Sequence, residues 1–213
     1  MKTVTFWYVR HGQTLFNLLG RMQGWCDSPL TSTGILQAEE ASQMLKDILL
    51  TSVWTSASER CIDTARIITR GRDIPVHYEK GLKEMYFGTY EGARVKNHLD
   101  EIEPRRSVTF DWSDCGGENL DMLNKRILST YNHIYEESHG GDQILIVSHG
   151  SIFMHMMPVL FQIPVERYVS LSDHQYLPAP NGYVGSFACT DGTYVLKSLH
   201  HRDAAFIERL LHE

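Results

Sequence analysis

Two histidines in this chain directly follow runs of apolar and β-branched residues that are typical of buried strands. Residues 3–9 lead into Arg10 and His11, and residues 143–148 lead into His149. Ligands of open α/β sheets bind beyond the carboxyl ends of the strands. The pattern therefore predicts two imidazoles and one guanidinium at the same rim of a sheet, where they can act on one substrate.

The triplet Ser-His-Gly occurs twice in the chain, and its two copies differ in their position relative to a strand. At 148–150 the triplet ends a predicted strand, whereas at 138–140 it precedes that strand. Because the strand context separates the two copies, we interpret His139 as a residue at the end of a helix and not as part of a site.

Phosphoryl transfer is the chemistry that needs two histidines and two arginines together. The planar guanidinium matches the geometry of a phosphate dianion, and Arg10 and Arg60 are the candidates that would bind it. Arg60 lies just inside a helix that follows a second predicted strand, and another helix begins near Ser151. The N-termini of both helices favour an anion at this rim.

A neutral imidazole, with an ordinary pKa of about 6.5, is a competent nucleophile when its other ring nitrogen is held as a donor. We expect a backbone carbonyl just after His11 to hold that tautomer. A protonated His149 would complete a positive cradle for the phosphate. Glu84, in a loop-like stretch, is the candidate that donates a proton to the leaving alkoxide.

Strands and helices alternate along most of the chain. Periodicity predicts strands at 3–9, 52–55 and 143–148. It also predicts three helices: one with its cap at 31–33 and its last apolar position at 48 or 49, one over 58–69 and one over about 118–138. Residues 183–190 and 193–199 are predicted to form a hairpin around Asp191 and Gly192. We therefore predict an α/β fold with a mostly parallel central sheet, helices on both faces and an antiparallel edge strand.

The length of 213 residues predicts a single domain, 1–213. Residues 93–117 are charged and irregular, and they interrupt the alternation, so we interpret them as a lid or specificity insertion. Residues 203–213 are predicted to form an amphipathic helix that is either free or part of an interface. The oligomeric state is not determined by these patterns.

Charge and composition argue against several classes of protein. Lys and Arg total 20 against 26 Asp and Glu, and this net charge of −6 lacks the basic surplus of a nucleic-acid binder. The longest apolar run, 152–161, is too short to cross a membrane, and the first nine residues resemble a strand more than a signal peptide. Four widely spaced cysteines without a C-x-x-C pair predict a cytoplasmic protein.

Taken together, these residues resemble the histidine phosphatase superfamily, in the branch related to cofactor-dependent phosphoglycerate mutase. The resemblance covers the first 92 residues and the stretch 116–150. The residues that carry the resemblance are 9–14 with Asn17, 21–25, 27–31, Gly34, Ser56, Arg60, Thr64, Ala65, Leu82, Glu84, Phe87, Gly88, Glu91, Gly92, 116–118 and 147–150.

The resemblance implies a three-layer α/β/α sandwich and a phosphohistidine that forms on His11. It implies a catalytic pocket completed by Arg10, Arg60 and His149, with Glu84 as the proton donor. It implies that no metal or other cofactor takes part. The residues that it assigns to substrate binding are Asn17, Gln23, Gly24 and Gly150.

The resemblance covers both phosphatases and mutases. The segment 93–117 is shorter than the corresponding insertion of the mutases, and residues 21–24 look more like the phosphatase branch. We therefore predict hydrolysis of a small phosphorylated metabolite, with no nucleic-acid or membrane partner. The alternative is phosphoglycerate mutase-type transfer, primed by 2,3-bisphosphoglycerate, in which Lys96, Arg105 and Arg106 would bind a substrate carboxylate.

Two other classes of function remain as alternatives. A metal-dependent hydrolase would use some of the eleven histidines, and a non-catalytic module would only bind phosphorylated ligands. His200 and His201 are a poor chelating pair, because adjacent strand residues point to opposite faces of a sheet.

Overall fold

The computed structural model describes residues 1–171, 180–200 and 202–212, and its centre is a six-stranded sheet. The strands are β1 (Thr3–Arg10), β2 (Ser52–Ser56), β3 (Val76–Glu79), β4 (Gln143–Ser148), β5 (Val184–Thr190) and β6 (Thr193–Leu199). They lie in the order β3-β2-β4-β1-β5-β6. The three strands predicted from periodicity are therefore all present.

The sheet is parallel from β3 to β1 and ends in an antiparallel hairpin. β5 runs antiparallel to β1, and β6 is the outermost strand, antiparallel to β5. The turn between them has positive φ at both central residues, 47° at Asp191 and 85° at Gly192. This is the twist that a two-residue hairpin requires, so the sequence signal was read correctly.

In the described residues, eight α-helices accompany the strands. They are α1 (Leu15–Leu18), α2 (Ser32–Met44), α3 (Glu59–Ile68), α4 (Leu99–Pro104), α5 (Leu120–Glu137), α6 (Gly150–Phe161), α7 (Val165–Leu171) and α8 (Ala204–His212). α5 begins at the side-chain cap Asn119 and ends at Glu137, so His139 lies just past a helix end, as predicted, and it is exposed. Within the described ranges, no helix is long and apolar enough to cross a membrane.

Two apolar layers cover the two faces of the sheet. Alternate residues of β1 point to different layers: Phe6 and Tyr8 pack into one layer, and Val9 packs into the other. The first layer contains the apolar stripe of α5 together with α6, and the second contains buried residues of α2 and α3. This arrangement is the predicted three-layer α/β/α sandwich.

Two elements differ from the sequence predictions. Strand β3 was not predicted, because it has only four residues at the sheet edge and three of them are exposed, so it carries no apolar alternation. Residues 203–213 contain the predicted amphipathic helix, α8, but this helix is not free. Its residues Phe206, Ile207 and Leu210 are buried in the core of the chain.

The segment 93–117 consists of short helical turns and contains no strand. Besides α4, it has 3₁₀ turns at Val95–Asn97 and Ser113–Cys115 and a π-helical turn at Arg105–Thr109. The π-helical turn ends at Phe110, whose φ of 46° and ψ of 40° place it in the left-handed region. The function of this segment as a lid stays a prediction.

Candidate active site

The two predicted site histidines leave the sheet side by side. Arg10, the last residue of β1, is in register with Ser148, the last residue of β4, and the His11 amide donates to the Ser148 carbonyl at 3.0 Å. The His11 and His149 rings are 5.2 Å apart between centroids, with 64° between their planes. Both side chains are buried. The parallel pairing of β1 and β4 thus brings together two residues that are 138 positions apart in the sequence.

The tautomer of His11 is set by the backbone of the next residue. Its Nδ1 lies 2.8 Å from the Gly12 carbonyl oxygen, which can only accept, so Nδ1 carries the proton and Nε2 keeps its lone pair. Burial lowers the pKa of His11 well below its ordinary value, and the neighbouring Arg60 and Arg10 cations lower it further. His11 is therefore neutral near pH 7 with one ring nitrogen available for attack.

Gly12 leaves room for a close approach of two loops. A Cβ at this position would lie 2.2 Å from the Gly34 carbonyl oxygen, which belongs to the first turn of α2. The Gly12 amide also donates to the Thr64 hydroxyl of α3 at 3.1 Å. A larger residue at position 12 would push the His11 backbone away from both helices.

His149 is neutral in this structure, and the protonated His149 expected from the sequence is not what the geometry supports. Its Nδ1 lies 3.0 Å from Arg60 Nη2, and a guanidinium can only donate, so Nδ1 is the acceptor. Its Nε2 then carries the proton, which points to the Ser56 hydroxyl at 2.8 Å. Burial lowers the pKa of His149 well below its ordinary value, followed by the effects of Arg60, His11 and Arg10.

Arg60 is fully buried and is bound on several sides by the loop 24–27. It donates to the carbonyls of Gly24 at 2.8 Å and Cys26 at 3.0 Å, and to the Asp27 carboxylate at 2.9 Å. Its Nε is buried and has no hydrogen-bond partner among the residues that the structure describes. The guanidinium is thus held rigidly beside His149 with one donor unused.

The loop 24–26 is itself organised by Glu91, a residue to which the sequence analysis gave no role. Its two carboxylate oxygens accept from the amides of Gly24, Trp25 and Cys26 at 2.9 to 3.2 Å and from Phe87 at 3.0 Å. Glu91 thereby fixes the carbonyls that bind Arg60. Its place in the motif that follows Glu84 was the only signal available in the sequence.

Arg10 lies against the first turn of α6. A Cβ at Gly150 would be 3.2 Å from Arg10 Cζ, so the glycine allows the guanidinium to approach the helix N-terminus closely. Burial lowers the pKa of Arg10, while the neighbouring Glu84 carboxylate acts in the opposite direction. Arg10 and the N-terminus of α6 therefore lie together at this rim, where both would favour an anion.

Glu84 faces the same helix terminus from the opposite loop. Its carboxylate accepts from the amides of Met85 at 2.8 Å and Ser151 at 3.1 Å, and the side chain is buried. Glu84 and Arg10 both line a cavity of about 440 Å³. Other sequence-predicted residues on its wall are Asn17, Gln23 and Gly150, whereas His11, Arg60 and His149 are buried outside the lining.

An ion pair on α5 positions the loop that carries Glu84. Arg126 binds Glu118 through two nitrogens, at 2.6 and 2.8 Å, and also donates to the carbonyls of Gly81, Lys83 and Glu84. Glu118 in turn accepts from the Tyr86 amide at 2.9 Å. Arg126 was not singled out from the sequence, because its spacing on α5 resembles that of an ordinary half-exposed helix residue.

Comparison with known proteins decides which family has this site. The sequence profile of the histidine phosphatase superfamily (branch 1) matches residues 6–200. The chain belongs to the histidine phosphatase superfamily. This finding confirms the family, the enzyme class and the phosphatase reading that the motifs predicted.

Relatives of this histidine phosphatase include both phosphatases and mutases. It is 32% identical to an adenosylcobalamin/alpha-ribazole phosphatase of Salmonella typhimurium over 165 residues, which are 74% of this chain and 80% of the relative. It is 29% identical over 183 residues to a probable phosphoglycerate mutase of Yersinia pestis, covering 81% and 85%. The crystal structure of a Bacillus anthracis phosphoglycerate mutase matches with a TM-score of 0.80 and 26% identity, over 98% and 96% of the two chains. The predicted fold is thereby confirmed.

Two amides predicted to bind the substrate of this histidine phosphatase are used in part to build its loops. Gln23 interacts with the Thr14 hydroxyl at 2.5 Å and donates to the Ser28 hydroxyl at 3.1 Å. Asn17 Oδ1 accepts from the Thr14 amide and from Asn181, each at 3.2 Å. Asn181, which sequence analysis missed, also donates to the His11 carbonyl at 3.0 Å and so links the loop after β1 to the residues that lead into β5.

The three basic residues considered for carboxylate binding are separated by the fold. Arg106 lines the 440 Å³ cavity. Arg105 is bound to the Asp114 carboxylate through both terminal nitrogens, at 2.5 and 2.7 Å, and Lys96 is exposed and is not on the cavity wall. In the described ranges of this histidine phosphatase, no group of three or more His, Cys, Asp or Glu is placed to hold a metal, and His201 lies outside those ranges.

Proposed function

We propose that this histidine phosphatase hydrolyses phosphate monoesters in two steps through a phosphohistidine on His11. In the first step, His11 Nε2 attacks phosphorus, the ester P–O bond breaks, and Glu84 gives its proton to the leaving alkoxide. In the second, Glu84 takes a proton from water while that water attacks phosphorus, and the P–N bond breaks to release phosphate. The observation that carries this proposal is the His11 Nδ1 contact with the Gly12 carbonyl, which leaves Nε2 as the free nucleophile.

Cationic groups would stabilise the charge that develops on the transferred phosphoryl group. Arg10 at the N-terminus of α6 and Arg60 with its unused Nε supply donors that are already held in place. A bound dianion would offset the two cations that lower the pKa of His149, and would therefore raise that pKa. We propose that His149 remains neutral even then and donates from Nε2, because a second proton on Nδ1 would face the Arg60 donor at 3.0 Å.

The proposal needs neither a metal ion nor an organic cofactor, because the nucleophile, the acid and the charge stabilisation all come from side chains. We expect turnover to persist with an excess of chelator. The cytoplasmic location predicted from the sequence belongs to the same proposal. It is supported by four cysteines that form no disulfide.

Mutase-type transfer is the second candidate function, and the position of Arg106 favours it. Its side chain lines the cavity that Glu84 also lines, where it could bind a carboxylate of a phosphorylated acid. We rank it second because Arg105 is held by Asp114 and Lys96 is exposed, which leaves one of the three basic residues in the cavity.

The function is tested by trapping the intermediate and identifying the product. Rapid acid-free quenching during turnover of a ³²P-labelled monoester should give an acid-labile, base-stable label on the peptide that contains His11. A panel that includes 3-phosphoglycerate, with and without 2,3-bisphosphoglycerate, should release inorganic phosphate. Formation of 2-phosphoglycerate would establish the mutase instead, and a label that is absent would contradict the covalent route.

A further inference from the structure

The turn that leads into β5 is bound to the end of β1 through the backbone. The Arg10 amide donates to the Tyr183 carbonyl at 3.0 Å, and the Gly182 amide donates to the carbonyls of Arg10 at 3.1 Å and His11 at 3.3 Å. Gly182 has a φ of 75°, in the left-handed region that favours glycine. This backbone arrangement places the side chain of Asn181 beside His11.

Two side-chain amides meet at this point, and backbone groups fix the orientation of each. The Thr14 amide can only donate, so the Asn17 atom that lies 3.2 Å from it is Oδ1. The His11 carbonyl can only accept, so the Asn181 atom that lies 3.0 Å from it is Nδ2. Asn181 Nδ2 also donates to Asn17 Oδ1 at 3.2 Å, so both of its hydrogens are used.

The group of Asn17 that remains available to a ligand is its amide nitrogen. Oδ1 accepts two hydrogen bonds, whereas Nδ2 makes none within the described part of the chain. Nδ2 is also absent from the buried atoms that lack a partner, so it is open to solvent. Asn17 lines the 440 Å³ cavity together with Arg10 and Glu84. An N–H group on this wall matches the oxygens of a phosphate dianion, which can only accept.

We propose that Asn181 is a positioning residue that keeps the Asn17 amide turned with its nitrogen toward the transferred phosphoryl group. Without the Asn181 donor, only the Thr14 amide holds Asn17 Oδ1 in place. A half-turn of the amide then breaks a single hydrogen bond, and it brings Oδ1 against the oxygens of the dianion. The assignment rests on the proposed function, because it requires the phosphate to lie in the cavity beside His11.

A double-mutant cycle tests whether Asn181 acts through Asn17. The two measured quantities are the Kd for inorganic phosphate, by calorimetry, and kcat/KM for ethyl phosphate. Asn17→Ala should worsen both at least about tenfold, because it removes a charge-assisted donor, and Asn181→Ala should worsen both about fivefold. In the Asn17→Ala background, Asn181→Ala should change either quantity less than ~twofold. An equal loss in both backgrounds would overturn the assignment, since Asn181 would then act through His11 or through folding.

Asn17→Asp tests the orientation of the Asn17 amide by itself. It retains an oxygen for Thr14 and Asn181 but replaces Nδ2 by a second carboxylate oxygen, which repels the dianion. At pH 8 it should therefore bind phosphate at least ~threefold more weakly than Asn17→Ala. Binding as tight as that of wild type would show that Nδ2 does not meet the phosphate. The control Asn132→Ala, at an exposed amide of α5 that accepts from the Tyr194 hydroxyl at 3.1 Å, should change neither quantity.

The outcomes separate the positioning role from the proposed function. If Asn181→Ala does not fold, as judged by circular dichroism, Asn181→Ser removes one of the two donors and is judged by the same cycle. If the phosphohistidine forms in wild type but the cycle is additive, the positioning role is wrong and the proposed function stands. If no phosphohistidine forms while phosphate binding shows the coupling, the proposed function fails and the positioning role stands.

Discussion

The cluster at the ends of β1 and β4 and the segment 93–117 are built in opposite ways. In the cluster, His11, Arg60 and His149 are buried, and each has a polar atom bound to the backbone or to another member. In the segment, the charged groups pair with each other near the surface, as Arg105 does with Asp114 and Arg106 with Glu103. One region is a rigid constellation, and the other is a series of turns that face a cavity.

The difference follows from what each region has to do. Attack on phosphorus requires atoms placed within tenths of an ångström, which strand ends and buried hydrogen bonds provide. Exposed ion pairs contribute roughly 0 to 1 kcal/mol, so the charged pairs of this segment can change without a large loss of stability. Its two core residues, Ile102 and Trp112, are fully buried and cannot. We therefore expect the strand ends to carry out the chemistry and the segment 93–117 to influence the choice of substrate.

The largest expected effect is the loss of the nucleophile. His11→Ala should lower kcat/KM for both p-nitrophenyl phosphate and ethyl phosphate by at least ~10³-fold, because the covalent route needs Nε2. His139→Ala changes the exposed histidine of the other Ser-His-Gly triplet and should have no effect. Activity within tenfold of wild type for His11→Ala would remove the functional distinction between the two regions.

The loss of activity caused by removing the acid Glu84 should depend on the leaving group. Glu84→Gln should reduce hydrolysis of ethyl phosphate by about 10²-fold, since an alkoxide needs a proton, but that of p-nitrophenyl phosphate only a few-fold. Glu39→Gln, an exposed substitution on α2, is the matched control. Equal losses on the two substrates would show that Glu84 has some other task.

A third prediction concerns His155, which lies where the two regions meet. Burial lowers its pKa to about 4, so below the ordinary value of about 6.5 the unfolded chain binds a proton that the folded chain does not. Stability is therefore lost as pH falls through 6.5. Between pH 7 and pH 5, wild type should lose about 2 kcal/mol relative to His155→Leu, measured by urea unfolding.

The control for this pH experiment is His139→Leu at an exposed position. Its free energy of unfolding should follow that of wild type at every pH. If the curves of wild type and His155→Leu ran parallel between pH 7 and pH 5, His155 would not be buried in its neutral form.

The smallest expected effect is that of substituting Arg126, which supports the loop of the acid Glu84. Arg126→Gln removes the donors that hold the loop of Glu84, and should lower kcat/KM for ethyl phosphate about tenfold with little change for p-nitrophenyl phosphate. Arg126→Lys should recover part of the loss. A purely structural role would affect both substrates equally, and Lys125→Gln, at the neighbouring exposed ion pair, should affect neither.

The elements with strong local signals were predicted well, and those without them were not. β1, β2 and β4 lie inside the sheet and are rich in apolar and β-branched residues, so each has a clear sequence pattern. The edge strand β3 has exposed residues and no pattern to recognise. Glu91, Arg126 and Asn181 act by contacts with residues far away in the sequence, and no local pattern reveals such contacts.

By itself, the sequence determined the strand-end motifs and the family, because residue type and strand context are local properties. Only the tertiary structure decided the protonation of His149, which depends on Arg60 lying 3.0 Å away. It also decided which of the three basic residues in 93–117 faces the cavity. Burial and approach distance set pKa values and cavity walls, and both arise only when distant segments pack together.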